Sequence, residues 1–155
     1  MDKLIQNILN DIRVELTDEF DRNFSRKAFF DHSWPPRKVN GKGSLLIVTG
    51  KLRRSIRSRV DAGSVTWETS EPYAAIHNYG GHITVTAKMK RFFWYKYRAT
   101  HNDSWKWMAL MKVGTKINIP RRQFLGDHPQ VRKRTEEIIN RNLKNAVQQL
   151  SKRLV

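Results

Sequence analysis

Cysteine is absent from the 155 residues of this chain. A chain without thiols has no disulfide framework, no thiolate metal site, no iron–sulfur cluster and no cysteine nucleophile. Long apolar runs are missing as well: Leu45–Val48 has four residues, and the run that contains Met108–Met111 has five with Trp107. A helix that spans a bilayer needs about 20. We therefore expect a soluble protein, made in a cytoplasm, that makes no membrane contact.

Recognisable catalytic signatures are also scarce. The sequence has no Walker loop, no paired-glycine dinucleotide turn and no nucleophile elbow. His77, Asn78 and His101 would suit a metal nuclease only if a turn brought them to one cation. Glu68 and Glu71 resemble an acid/base pair, but they more simply neutralise a neighbouring basic patch. We predict that the protein is not an enzyme and holds neither a metal nor another cofactor.

Acidic residues are few, 14 Asp and Glu against 30 Lys and Arg, which gives a net charge of +16. Such a charge predicts attraction to a polyanion or to an acidic protein surface. The charge is uneven: residues 1–32 carry five basic and seven acidic side chains, whereas residues 33–155 carry 25 and seven. The N-terminal segment is therefore not a basic DNA-binding arm.

Apolar periodicity predicts a helix over residues 3–28. Ile5, Ile8 and Leu16 share one face at about 100° per residue. Phe20 and Phe24 continue in steps of four, and each step drifts about 40° around a straight helix. We predict that residues 1–30, which contain this helix, form a separate N-terminal segment that leaves the domain. The two phenylalanines are then predicted to contact another subunit.

Short elements of both kinds fill the rest of the chain. The predicted elements are a helix over Gly50–Ser58 with Thr49 as N-cap, a strand over Ser64–Ser70, a helix over Pro72–Tyr79, strands over His82–Ala87 and Lys116–Ile119, and a long final helix that begins at Pro129 and includes Leu154. A loop that contains Gly41 is predicted over residues 31–43. This pattern predicts an α+β fold with a small antiparallel sheet, and residues 31–155 form a single domain.

Basic and aromatic residues concentrate in the segment Lys88–Arg122, which contains ten basic residues, one acidic residue and seven aromatic residues. If Met89–Tyr97 is helical, its rings lie on two faces, and the parent domain covers only one of them. We therefore predict a basic-aromatic insertion at residues 88–112. Its predicted subunit or partner contacts are Phe92, Phe93, Trp94, Tyr97, Trp105 and Trp107, and its predicted nucleic-acid contacts are Lys88, Lys90, Arg91, Lys96 and Arg98.

This composition is compatible with two kinds of partner. In single-strand binding, bases stack on aromatic rings while Lys and Arg contact phosphates. Trp, Tyr, Phe and Arg also concentrate at the hot spots of protein–protein interfaces. We favour a protein interface because the rings outnumber those that a single-strand groove of this size uses. Weak, non-specific DNA binding is the alternative, since no groove-reading motif is present.

Four stretches, in this order, resemble the phage virion morphogenesis family, the tail-completion proteins of Mu-like phages. They are the Thr-Gly-x-Leu run and Ser-Ile within residues 46–56, the Tyr-Ala…His…Gly-Gly motif at 73–81, the Ile-Pro-x-Arg-x-Phe-Leu-Gly motif at 119–126, and the long helix that follows. Trp34-Pro35 also fits the first loop of the family. The positions that match are Thr49, Gly50, Leu52, Tyr73, His77, Gly80, Gly81, Pro120, Arg122, Phe124, Leu125 and Gly126.

The resemblance implies an α+β fold, no catalysis and a structural part at the head–tail junction or tail end of a virion. It implies a ring of identical subunits, such as a hexamer, that contacts tail tube or head–tail connector proteins after assembly in the bacterial cytoplasm. The motifs also have physical interpretations. Gly80 and Gly81 permit a sharp reversal, and Phe124 and Leu125 plug the core. Arg122 can hold a loop through a carboxylate or through backbone carbonyls.

Overall fold

The computed structural model describes residues 2–37 and 43–153, so Gly41 and Leu154 lie outside the described residues. The elements in chain order are α1 (Asp2–Arg26), β1 (Ala28–Phe29), β2 (His32–Ser33), α2 (Lys51–Ser55), β3 (Ile56–Asp61), β4 (Ser64–Thr69), α3 (Ala74–Tyr79), β5 (Gly81–Thr84), α4 (Ala87–Thr100), α5 (Asp103–Leu110), β6 (Lys116–Ile119) and α6 (Pro129–Arg153). This confirms the predicted α+β fold. None of the helices within the described ranges combines the length and the apolarity that crossing a membrane requires.

The strands form three antiparallel pairs within the described part of the chain: β1–β2, β3–β4 and β5–β6. In the β3–β4 pair, Ile56 lies opposite Thr69, and the register continues to Asp61 opposite Ser64. The predicted helix over Gly50–Ser58 is therefore too long, because its last three residues belong to β3. Residues 56–61 alternate half-buried and exposed side chains, and pairing with β4 satisfies their backbone groups in place of another helical turn.

The two long helices, α1 and α6, pack against each other in opposite directions. Asp11 accepts a hydrogen bond from the Asn142 amide at 2.8 Å, and further along α1 the Glu19 carboxylate lies 3.1 Å from the Arg134 guanidinium. Leu16 and Ile138 are both buried in the same apolar cluster. Antiparallel packing of two 25-residue helices supplies the frame on which the short elements lie.

The core of the protein corrects the prediction for Phe20 and Phe24. The two side chains are only 3% and 0% exposed, and they lie in two adjacent clusters. Phe20 packs with Phe29 and Ile138, whereas Phe24 packs with a second cluster built around Phe124. The apolar face of α1 turns around the helix axis between Phe20 and Phe24, so the helix contacts one apolar cluster and then the next one of the same domain. The interpretation of α1 as an arm that offers these rings to another subunit is wrong.

An ion pair ties α1 to α2 and gives a testable pH dependence. Arg53 donates two hydrogen bonds to the Asp21 carboxylate, and these bonds hold the pKa of Asp21 below its usual value. A lowered carboxyl pKa stabilises the fold above the unfolded-state pKa of about 3.9, and this contribution is lost as the pH falls through the folded-state pKa. Asp21→Asn is therefore expected to cost less than about 1 kcal/mol at pH 7, because the pair is partly exposed.

Urea unfolding of wild type and Asp21→Asn at neutral and strongly acidic pH measures this difference. The two proteins should differ near neutrality and converge in acid. The control is Asp18→Asn, which removes an exposed pair with Arg22 inside a single helix and should change stability less. An equal loss for Asp21→Asn at both pH values contradicts the prediction.

Candidate functional site: an aromatic hairpin and an acidic cleft

The basic-aromatic insertion is a pair of helices inserted into a β-hairpin. The Val85 N–H donates to the Thr115 carbonyl at 2.8 Å, and the Gly114 N–H donates to the Val85 carbonyl at 2.9 Å. These bonds extend the β5–β6 pair and close the base of the insertion. Between them, α4 and α5 pack mainly on each other. We call this unit, residues 87–110, the aromatic hairpin.

Capping residues explain why the insertion folds as two helices. The Thr86 hydroxyl accepts a hydrogen bond from the Met89 N–H at 3.2 Å, at the start of α4. The Asn102 side chain accepts one from the Ser104 N–H at 2.9 Å, at the start of α5. Thr and Asn are strong N-caps because their oxygens satisfy backbone donors that lack a helical partner. His101, with φ 50°, makes the turn between the two helices.

The inner face of the aromatic hairpin is packed by its own rings. Phe93 is buried, and its ring centre lies 6.0 Å from that of Trp105. The Phe92 ring also contacts Trp105, edge to face, at 6.0 Å. This corrects the prediction for Phe93, because a ring covered by its own hairpin does not reach a partner. Trp105 is half-buried in the same cluster.

The outer face carries large aromatic side chains in contact with water. Trp107 is 69% exposed and Phe92 49% exposed. Trp94 and Tyr97 are half-buried and contact each other with ring centres 6.0 Å apart. Exposed rings of this size, gathered on one hairpin, are typical of a binding surface.

The basic residues of α4 accompany these rings. Lys88, Arg91 and Arg98 are exposed, and Lys90 and Lys96 are half-buried. None of the five forms an ion pair within the described residues. The Lys96 ammonium lies 5.6 Å from the centre of the Phe92 ring, within the range of a cation–π contact. The hairpin therefore presents positive charge and aromatic surface together.

A cleft of about 550 Å³ lies between β4, α3 and the segment that leads into α6. Trp67, Leu125 and Val131 are half-buried apolar residues in its wall. The charged residues that line it within the described part of the chain are acidic: Glu68, Glu71 and Asp127. We call this feature the acidic cleft.

The carboxylates of the acidic cleft differ in how they are paired. The exposed Glu68 forms neither an ion pair nor a hydrogen bond within the part of the chain that the structure describes. Glu71 is buried and its Oε2 has no aligned hydrogen-bond donor, although the Lys51 ammonium lies 3.2 Å away. A hydrogen-bonded ion pair with Arg132 lowers the pKa of Asp127. Glu68 is therefore the cleft carboxylate that forms no ion pair among the described residues, although its charge contributes to the raised pKa of Arg59.

The family-like motifs meet at one buried cluster beside this cleft. Leu52, Ala74 and Phe124 come from three separate motifs, and they pack with Phe24 and Trp34. The Trp34 indole N–H also donates to the Gln123 carbonyl at 2.6 Å. Residues far apart in sequence thus share one core, which places these motif residues in structural positions.

Arg122 and Asn78 hold the segment that carries Phe124. Of the two kinds of partner predicted for Arg122, the structure shows backbone carbonyls: its guanidinium donates to Pro35 at 2.9 Å and Pro36 at 3.0 Å. Burial, with the nearby charge of Arg37, lowers the Arg122 pKa. The sequence did not predict this role for Asn78, which was considered only with His77 and His101 as a candidate metal ligand, because a polar residue near the end of a short helix does not indicate its partners. Its amide Oδ1 accepts hydrogen bonds from the backbone of Phe124 at 2.9 Å and of residue 125 at 3.0 Å.

The remaining motif residues lie around this cluster. Thr49 does not occupy the cap position of α2, which Gly50 takes with φ 67°, but its hydroxyl accepts the Lys51 N–H at 3.3 Å. Half-buried His77 has an unpaired Nδ1, and burial together with the charge of Arg122 lowers its pKa. The other positions are Tyr73 immediately before α3, Gly81 at the start of β5, Pro120 after β6, Leu125 in the cleft and Gly126 beside it.

Gly80 is the motif glycine with the tightest surroundings. It has φ 74° and ψ −179°, a region that essentially only glycine adopts. A Cβ at this position would lie 2.9 Å from the backbone nitrogen of Arg121. Gly80→Ala is therefore expected to destabilise the protein by more than the roughly 1–3 kcal/mol of backbone strain alone.

The matched control is Gly63→Ala. Gly63 also has a positive φ of 88°, but a Cβ there would meet nothing within 4 Å. Denaturant unfolding of both variants separates backbone strain from steric contact. Equal losses of stability in the two variants would show that the contact with Arg121 carries no weight.

One cluster has the side chains of a metal site. Single ligand atoms of Asp31, His32 and His128 lie within 4.8 Å of one another. However, His128 Nδ1 accepts the Gln130 N–H at the start of α6, so the proton of the neutral ring is on Nε2. That nitrogen lies 3.0 Å from Asp31, to which it donates. The cluster is therefore built as a hydrogen-bonded helix cap, and His77 and His101 do not belong to it.

The α+β core carries the exposed aromatic hairpin and, apart from it, the acidic cleft with its apolar wall. These are features of proteins that assemble with others. The sequence model of the phage virion morphogenesis family matches residues 5–144. The chain therefore belongs to this family, which is a family of virion structural proteins. Among curated proteins and among solved structures, no match to the chain is found.

Proposed function

We propose that the protein completes the phage tail and stabilises its joining to the head, as a ring of identical subunits such as a hexamer. Family membership supports a structural role in the virion. The aromatic hairpin carries the proposal further, because it presents exposed rings on helices that pack mainly on each other. On this proposal the protein occupies the tail or head–tail junction, is assembled in the bacterial cytoplasm, catalyses no reaction and uses no cofactor.

The proposed contacts are four aromatic side chains of the hairpin that the structure leaves at least partly accessible. They are Phe92, Trp94, Tyr97 and Trp107, with Trp105 supporting them from the inner face. Neighbouring copies, tail tube proteins and head–tail connector proteins are the proposed partners. Aromatic residues at the centre of an interface contribute most of its binding energy.

Deletion of the gene from a phage that carries it tests the proposed function. Cells infected with the deletion phage should accumulate DNA-filled heads and separate tails, and wild-type protein supplied from a plasmid should restore joined particles. Electron microscopy of the lysate and the count of infectious particles measure the outcome. Joined, infectious particles at normal yield without the protein would contradict the proposal.

Weak, non-specific DNA contact is the second candidate, favoured by exposed Lys88, Arg91 and Arg98 on one helix. Binding through phosphates should be the same for unrelated duplexes and should weaken steeply as salt rises. Titration of labelled duplexes at low and physiological salt measures this. A strong preference for one sequence that survives high salt would contradict it.

A further inference from the structure

The aromatic hairpin and the acidic cleft have complementary chemistry. Residues 87–112 of the chain carry seven basic residues and one acidic residue. The described residues that line the cleft include three carboxylates and no lysine, arginine or histidine. Lys51 and Arg132 pair with two of these carboxylates, which leaves Glu68 without an ion pair among the described residues. An aromatic surface that carries positive charge thus matches an apolar wall beside the carboxylate of Glu68.

The cleft is also large enough to receive an aromatic side chain. Trp107, on α5, is the most exposed large aromatic residue of the hairpin. The volume of the cleft, about 550 Å³, falls in the range of about 300–1,000 Å³ that proteins use to bury bound groups. Trp67, Leu125 and Val131 provide an apolar wall for an indole ring.

We propose that the aromatic hairpin of one copy inserts Trp107 into the acidic cleft of the next copy. The two surfaces come from different elements of the chain, so every copy offers one of each. A contact between different surfaces is heterologous, and its repetition gives a ring if the rotation closes. This inference rests on the proposed function, for which it identifies the contact between subunits.

A charge pair lies beside the inserted ring. Lys106 is adjacent to Trp107 and exposed, and in the contact it faces the exposed Glu68 of the neighbouring copy. The buried Glu71 already has the Lys51 ammonium of its own copy 3.2 Å away, so it takes no part in the contact. A pair such as that of Lys106 and Glu68 accelerates association and helps to determine the register of the two copies.

A nucleic acid does not fit the same cleft. Its phosphates would lie against the carboxylates of Glu68, Glu71 and Asp127, and like charges in contact oppose binding. The charge of the cleft thus favours a second copy of this basic chain as its occupant.

Photo-cross-linking tests the contact directly. The full-length protein with Trp107→p-benzoylphenylalanine is irradiated as a concentrated solution and within purified particles, as a mixture of isotope-labelled and unlabelled chains. The expected product joins position 107 of one copy to residues 67–79 or 124–131 of another. Cross-links to DNA, to another part of the chain, or no cross-link between copies in either sample would overturn the proposal.

Mixing two defective variants tests the polarity of the contact. Trp107→Ala has a defective hairpin and an intact cleft, whereas Glu68→Lys has an intact hairpin and a defective cleft. Each should self-associate about 30-fold more weakly than wild type or worse, with nearly unchanged melting temperature. A 1:1 mixture should form a heterodimer that does not grow, because both remaining surfaces are defective.

The control is Glu136→Lys, an exposed charge reversal on α6 outside the cleft, which should assemble as wild type does. Normal assembly of Trp107→Ala, or a mixture no better associated than its components, would overturn the proposal. If the protein is still required in particles while position 107 cross-links elsewhere, only this contact is wrong. If particles form normally without the protein, the proposed function itself fails.

Discussion

Phe124→Ala is expected to destabilise the protein by about 3–5 kcal/mol, the usual cost of removing a buried phenylalanine side chain. Phe124 is 1% exposed, and its ring centre lies 5.3 Å from that of Phe24. It is also the central ring of the cluster in which Trp34, Leu52 and Ala74 meet. Because α2, α3 and the segment before α6 share this cluster, a cavity there weakens contacts among all of them.

Urea unfolding followed by circular dichroism measures the loss of stability. The matched control is Phe92→Ala, which removes the same side chain from the half-exposed surface of the aromatic hairpin. We expect it to cost on the order of 1 kcal/mol, because less apolar surface returns to water. Similar losses in the two variants would show that Phe124 does not organise the core.

Asn78→Ala is expected to cost about 3 kcal/mol, although it removes only a small polar group. The Asn78 amide accepts hydrogen bonds from the backbone N–H groups of Phe124 and Leu125 and donates to the Leu125 carbonyl at 3.1 Å. Each backbone group left without a partner in the interior costs about 1–3 kcal/mol. The loss should also loosen the wall of the acidic cleft, since Leu125 forms part of it.

Hydrogen exchange provides a local readout for Asn78→Ala. The amides of Phe124 and Leu125 should exchange faster in the variant, whereas amides in the middle of α1 should change only through the global loss of stability. The control is Asn10→Ala, which should leave stability nearly unchanged, because among the described residues the exposed Asn10 amide bonds only to the Gln6 carbonyl one turn earlier. Unaltered protection of Phe124 and Leu125 would contradict the proposed anchoring.

The long helices and two of the strands follow from local patterns. The predicted helix over residues 3–28 is observed at Asp2–Arg26, and the helix predicted from Pro129 begins there. Strands predicted over Ser64–Ser70 and Lys116–Ile119 differ from the observed ones by at most one residue. Periodicity in these segments is an intrinsic property of the sequence, because one face of each element must leave water.

The structure of other segments depends on contacts with distant parts of the same chain, which the local sequence pattern does not reveal. Residues 56–58 continued a helical pattern, but pairing with β4 places them in β3. Periodicity places Phe24 on a different side of α1 from Ile5. The inference that Phe24 contacts another subunit is wrong because Phe124, one hundred residues further along the chain, covers its ring. The prediction that Phe93 contacts a partner is wrong for the same reason: α5 packs back against α4 and places Trp105 against the Phe93 ring.

The sequence by itself determined the α+β class, the positive charge, the family membership and the existence of a basic-aromatic insertion. These properties depend on composition, spacing and local periodicity, all of which one chain of residues contains. Only the tertiary structure decided which aromatic rings lie in the core and which are exposed. It also decided that Asn78 holds the backbone of Phe124 and Leu125, and that three carboxylates line the acidic cleft. Burial and hydrogen bonding between distant segments depend on which elements pack together, and that packing is a property of the whole chain.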